Sequence, residues 1–150
     1  MFSLVVVGGT FDGLHVGHRR LLDVAFDCGN RVVVAVTSDK FAQAFRTSKT
    51  PPLRERREKL EKYVKKLGKP FEVIQIDDSY GVSTTDKKAD CIVVSEETLL
   101  RAEEINAIRF KKGLPKLAIV VVPIVLAKDG GPVSSDRINR GEIDGNGNVL

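Results

Sequence analysis

The chain has only two histidines, and they stand three residues apart. His15 and His18 close the segment Val7-Gly8-Gly9-Thr10-Phe11-Asp12-Gly13-Leu14-His15-Val16-Gly17-His18. On a helix that spacing turns both imidazoles toward one point. There they could donate hydrogen bonds to charge that builds on a phosphate in a transition state, whether neutral or cationic. Gly8 and Gly9 let the backbone come close to a ligand, and a helix N-terminus beside them attracts phosphate oxygens. The plainer alternative is a glycine-rich turn carrying two incidental surface histidines. A metal centre is not expected, because no third ligand lies near the pair. The segment lacks the G-K-[ST] of a Walker A loop.

A second segment with the same kind of chemistry is Val133-Ser134-Ser135-Asp136-Arg137-Ile138, preceded by Lys128-Asp129-Gly130-Gly131-Pro132. Two hydroxyls and free N–H groups at a helix start can cradle phosphate. The same residues also read as a simply capped helix, with Ser134 as N-cap and Asp136 in the first turn.

The elements that must position these residues show in the hydrophobic pattern. Residues 2–8, 31–37, 71–77, 90–94 and 117–123 are short continuous apolar runs rich in Val and Ile. Continuous runs, unlike alternating ones, imply strands covered on both faces. Helices are expected over 17–28, ending at Gly29 as a C′ glycine, over 51–67, opening at Pro51-Pro52, and over 96–112, ending at Gly113. A short helix should follow near 134–140. The alternation gives a doubly wound α/β fold in which the first segment follows the first strand, at the carboxyl edge where such sheets bind ligands. On the basic helix, Glu55–Lys59, Glu58–Lys62 and Glu61–Lys65 are spaced to pair along a solvated face.

With 150 residues, 42% of them hydrophobic, the chain is expected to fold as one domain, 1–150, around one core. The apolar runs are too short to span a membrane, and the N-terminus has no basic stretch of a signal peptide. Cys28 and Cys91 read as reduced thiols of a cytoplasmic protein. The net charge of +4 suits phosphorylated substrates. Its basic residues are interleaved with Glu, which argues against a nucleic-acid surface.

G-T-F-D-x-x-H-x-G-H with a late S-S-x-R-I resembles the nucleotidylyltransferase superfamily. More narrowly, the chain resembles the archaeal-type phosphopantetheine adenylyltransferases and the corresponding domain of eukaryotic CoA synthase. Val36-Thr37-Ser38-Asp39-Lys40, Asp78-Ser79-Tyr80-Gly81, Val93-Val94-Ser95-Glu96-Glu97-Thr98, Ile105-Asn106 and Arg137-Ile138-Asn139-Arg140-Gly141-Glu142-Ile143 carry that closer likeness. The resemblance implies a Rossmann-like five-stranded parallel sheet, the nucleotidylyltransferase fold. It also implies AMP transfer from ATP to 4′-phosphopantetheine, giving dephospho-CoA and pyrophosphate in coenzyme A biosynthesis.

By that resemblance His18 donates to the α-phosphate, His15 holds neighbouring phosphates, and Thr10 orients the attacking phosphate while Lys40 neutralises it. Gly9, Phe11, Ser95 and Glu96 join the nucleotide site. Ser134 and Ser135 hold the leaving pyrophosphate, with Arg137 nearby. Asp78, Tyr80 and Gly81 line the phosphopantetheine arm. Magnesium is expected to arrive bridging phosphates, with no metal site built from protein ligands. Lys49 rivals Lys40, and Arg101 and Arg109 are further candidate cations, read otherwise as a solvated helix face. Asp136 departs from the usual Thr or Ser of the late motif. Two alternatives stay open: the same chemistry on FMN or, with CTP, on glycerol phosphate, and a non-catalytic nucleotide- or nucleic-acid-binding module.

Overall fold

The computed structural model describes residues 1–44, 46 and 49–150. Five strands, β1 (Phe2–Gly9), β2 (Gly29–Thr37), β3 (Phe71–Ile76), β4 (Cys91–Ser95) and β5 (Ala118–Val122), form one sheet in the order β3-β2-β1-β4-β5. Every neighbouring pair is parallel. The order reverses between β1 and β4, which opens a crevice at the carboxyl ends of those two strands.

The continuous apolar runs are explained by the two cores they serve. Val5, Val7, Val32, Val34, Val36 and Val93 point to one face, where they meet Leu22 and Phe26 of α1 (Val16–Cys28) and Leu60 and Val64 of α3 (Leu53–Lys65). Leu4, Val6, Val33, Ile92 and Val94 point to the other face and meet Ala102 and Ile105 of α4 (Leu99–Lys111). Side chains alternate along each strand, so consecutive valines serve opposite layers. Two short helices complete the set, α2 (Asp39–Ala44) and α5 (Ser135–Asn139).

Several expectations needed correction. Gly29 is not a left-handed helix stop; its φ is −115°, and it already belongs to β2. A Cβ there would stand 2.7 Å from Cγ2 of Val5, so the glycine is required by the close approach of α1's end to β1. Gly113, with φ +76°, does act as the left-handed stop after α4. Helix α3 starts at Leu53 because Pro52 is extended, with ψ 151°. On α3, among the described residues, the i,i+4 ion pair is Arg57–Glu61 at 2.8 Å, not the Glu–Lys pairs expected from spacing. The segment 96–98 is a 3₁₀ turn ahead of α4.

Two arginines on supposedly solvated faces are fully buried instead. Arg109 is 0% exposed and donates to the carbonyls of Pro115 (2.8 Å), Ser83 (2.9 Å), Asp86 (2.8 Å) and Ala89 (3.4 Å). It thereby holds the irregular segment between β3 and β4, whose carbonyls have no ladder partner. Arg56, 1% exposed, does the same at the opposite face and is taken up below. Among the described residues no helix is long and apolar enough to cross a membrane.

Candidate active site

Helix α1 begins with an arrangement that accounts for the spacing of the two histidines. His15 is its N-cap, and its Nδ1 accepts from the N–H groups of Gly17 (3.0 Å) and His18 (3.3 Å). In return, Nδ1 of His18 accepts from the N–H of His15 at 3.2 Å. This is a capping box built from imidazoles rather than from a hydroxyl and a carboxylate. The rings stack with centroids 3.6 Å apart, and Phe11 packs its edge on His18 at 5.4 Å. Phe11 is buried and left-handed, with φ 53°, a conformation that costs a non-glycine residue of order 1–2 kcal/mol.

Accepting at Nδ1 fixes the tautomer: each neutral ring carries its hydrogen on Nε2 and can only donate there. Neutrality follows from the surroundings. Burial first, then the charges of Arg19 and Arg46 against a partial opposing effect of Asp12, lower His15 to about 4. Burial, then His15, Arg46 and Arg19, lower His18 to about 3. The helix N-terminus itself has little left to offer a ligand. The N–H of Val16 donates to the carbonyl of Gly145 at 2.8 Å, that of Arg19 to the carbonyl of His15 at 3.0 Å, and those of Gly17 and His18 are taken by His15. A phosphate here would meet imidazole edges, where free helical amides had been expected.

This chemistry yields two predictions. An unfolded chain holds its imidazoles near 6.5, so between about pH 4 and 6.5 it binds protons that the folded chain excludes. Stability is therefore complete above about pH 6.5. It falls as pH drops toward 4, by up to about 1.4 kcal/mol per unit for each ring. Denaturant melts at pH 7 and pH 5 should show the loss, and a flat profile would contradict it. The second concerns Gly17, where a Cβ would stand 2.9 Å from Cε1 of His15. Gly17→Ala should displace that ring and cut turnover roughly tenfold or more. The melting temperature should hardly move, because alanine's helix propensity, about 1 kcal/mol better than glycine's, offsets the weakened cap. A fully active Gly17→Ala protein would show that the ring can yield without consequence.

The imidazoles face a cavity of about 430 Å³ whose walls include Gly9, Thr10, His15, His18, Ser95, Ser134 and Ser135. Ser134 caps α5, accepting from the N–H of Arg137 at 3.2 Å, and buried Ser135 donates to the carbonyl of Asp12 at 3.1 Å. The late segment is thus both a capped helix and a wall of the same cavity as His15 and His18. A second, narrower cavity of about 160 Å³ adjoins it, sharing Gly8, Gly9 and Thr98. Its walls are largely aliphatic, with Ser79, Tyr80 and Arg101 among them. Asp78 shapes the approach, its Oδ1 accepting from the N–H of Tyr80 (2.9 Å) and Gly81 (2.7 Å). Gly81 has φ +53° and leaves no room for a Cβ, which would meet Ile76 at 2.6 Å.

Other expected residues sit outside these walls. Lys40 is exposed on α2 and Lys49 is exposed beyond it; the basic side chain that lines the larger cavity is Arg46, paired with buried Asp12 at 2.8 Å. Glu96 accepts from the N–H of Ile124 at 2.9 Å and so shapes the wall from behind, while Glu97 lines the cavity. Arg137 is engaged by Asp129 and by Glu142, the latter at 3.0 Å. Arg46 and Arg56 were not anticipated. Thr37, Glu97 and Thr98 lie in the segments 36–40 and 93–98 that carried the closer likeness, but no role had been assigned to them.

Residues 6–141 match the family model described as cytidylyltransferase-like. The chain belongs to the cytidylyltransferase-like family. Within it, the chain is 48% identical to a phosphopantetheine adenylyltransferase of Methanothermobacter thermautotrophicus, over 99% of this chain and 90% of the relative. It is 46% identical to the enzyme of the same name from Methanopyrus kandleri, over 95% of this chain and 92% of the relative. Among solved structures, a protein of unknown function from Archaeoglobus fulgidus superposes with a TM-score of 0.72 at 37% identity, covering 81% of this chain and 89% of that one. The matched residues take in all five strands of the sheet except the start of β1.

Proposed function

We propose that this cytidylyltransferase-like chain is a pantetheine-phosphate adenylyltransferase, joining AMP from ATP to 4′-phosphopantetheine with release of pyrophosphate, in the cytoplasm. The observation that carries the reading is the pairing of cavities: a larger one lined by the two histidines and two serines, sharing wall residues with a smaller, largely apolar one. A triphosphate suits the first. The second, small and largely apolar, suits the aliphatic part of a pantetheine arm.

An oxygen of the acceptor phosphate attacks the α-phosphorus as the bond from that phosphorus to the β-bridging oxygen breaks, and pyrophosphate carries away the negative charge. The nucleophile is already ionised at neutral pH, so no side chain has to remove a proton. Catalysis rests on positioning and on donors set in place beforehand. Nε2–H of His18 meets the α-phosphate oxygens, that of His15 meets the neighbouring phosphates, and Thr10 orients the acceptor phosphate. Ser134 and Ser135 flank the leaving pyrophosphate, and Arg46 supplies positive charge from the lining. Lys40 would have to swing in from α2 to take the part the family likeness implies.

A divalent cation fits the lining only as a companion of the phosphates. Among the described residues no group of three His, Cys, Asp or Glu side chains is placed to hold one, and the carboxylates of the wall are Glu97 and Asp136. We infer Mg2+, which neutralises phosphate charge when bound, with Asp136 as the side chain that would hold it. That would give the departure from Thr or Ser a purpose.

Pyrophosphate release is the test, with three arms: ATP and 4′-phosphopantetheine, ATP and FMN, CTP and glycerol phosphate. Turnover in the first arm alone is expected. Turnover only with FMN or glycerol phosphate would overturn the acceptor, and none in any arm would leave a binding module.

A further inference from the structure

A buried chain of donors lies behind Thr10. Helix α3 sends Arg56 under the carboxyl ends of β1 and β2, where its Nη1 donates to the carbonyls of Thr10 (3.0 Å) and Thr37 (2.9 Å). Its Nε donates to Pro51 at 2.8 Å, and Nη2 reaches Asp39 at 2.9 Å. The same Nη1 lies 3.5 Å from Oγ1 of Thr37, and that oxygen lies 3.0 Å from Oγ1 of Thr10. Thr37 is buried, 7% exposed, and lies in the wall of the smaller cavity, directly behind Thr10.

An arginine only donates. The hydrogen of the Thr37 hydroxyl therefore cannot point back at Arg56, and it points to Thr10. Thr10, receiving a hydrogen from behind, has its own hydrogen left to point forward into the cavity that it lines. Without this arrangement a threonine hydroxyl beside a phosphate could turn a lone pair, in place of its hydrogen, toward the anion. We propose that Arg56 and Thr37 are positioning residues: Arg56 pins both threonine carbonyls and, having no lone pair, offers the Thr37 hydroxyl no acceptor, which sets the direction of a hydroxyl relay from Thr37 to Thr10, so that Thr10 donates to the acceptor phosphate. The inference rests on the assignment of Thr10 to that phosphate.

Thr37→Val keeps the shape and removes the donor. We expect it to lower kcat/KM for 4′-phosphopantetheine about 10- to 30-fold, leave KM for ATP within about twofold, and leave the melting temperature nearly unchanged. Thr37→Ser should restore most of the loss. Because the effect passes through Thr10, Thr37→Val should add nothing in a Thr10→Val background. If Thr37→Val does not fold, Thr37→Ala is scored by the same two ratios. An active wild type with a full-rate Thr37→Val protein overturns the relay alone. So does a loss of equal size in the Thr10→Val background, which would mark a merely structural role. A wild type without turnover on 4′-phosphopantetheine overturns the acceptor assignment and the relay together.

Discussion

His18→Ala should slow turnover roughly 30- to 1,000-fold, an increase of about 2–4 kcal/mol in the barrier. The ring is fixed on three sides: its Nδ1 accepts the N–H of His15, its face stacks on the other imidazole at 3.6 Å, and its flank meets Phe11. That leaves Nε2–H as a donor aimed without further rearrangement, in a partly dehydrated wall where a hydrogen bond to growing charge gains more than in water. The interaction strengthens as the α-phosphorus takes on its fifth ligand, so kcat should fall more than KM for ATP rises. Stability should decrease by only about 1 kcal/mol, for the lost acceptor at the helix start. Steady-state kinetics beside a thermal melt would check both halves. A stable His18→Ala protein with full turnover would remove the ring from the mechanism.

Arg109→Met should be the most damaging change to folding. One guanidinium serves four carbonyls, buried ones at Ser83 and Ala89 and part-buried ones at Asp86 and Pro115, and methionine fills much of the volume while serving none. Carbonyls left without partners cost about 1–3 kcal/mol each when they cannot relax toward water. A total of about 2–4 kcal/mol is expected, which lowers the melting temperature of a chain this size by roughly 5–15 °C. The effect should also reach the site. Residues 81–84 follow directly on Tyr80, which lines the narrow cavity, so KM for the acceptor should rise while KM for ATP stays nearly constant. An unchanged melting temperature would show that water had replaced the guanidinium.

The two arginines show where sequence reading reaches its limit. Strands were legible because parallel strands buried on both faces need unbroken apolar runs, and nothing else in a chain of this kind does. The histidine pair was legible because its spacing is itself a local property of one helical turn. Arg56 and Arg109, in contrast, sit in helices full of solvated Lys, Arg and Glu. What buries them is the position of distant carbonyls, at Thr10 and Thr37 for one and at Ser83, Asp86 and Ala89 for the other. No window of sequence around either residue contains that information. Lys40 and Arg46 make the same point at the cavity. The family likeness favoured the lysine, but it is the arginine that meets Asp12 and lines the cavity. Gly29 was misread for a related reason: its neighbour Val5 lies on another strand, and the helix-stop pattern was the nearer explanation.

The start of α1 is closed by the other end of the chain, with Val16 donating to Gly145 and Arg19 reaching Asn146 at 2.6 Å. Its anchor lies about 125 positions further along the chain than the histidines, so local sequence alone does not complete this helix start. A polypeptide that stops short of residue 145 would therefore carry both imidazoles without the carbonyl that anchors the start of their helix.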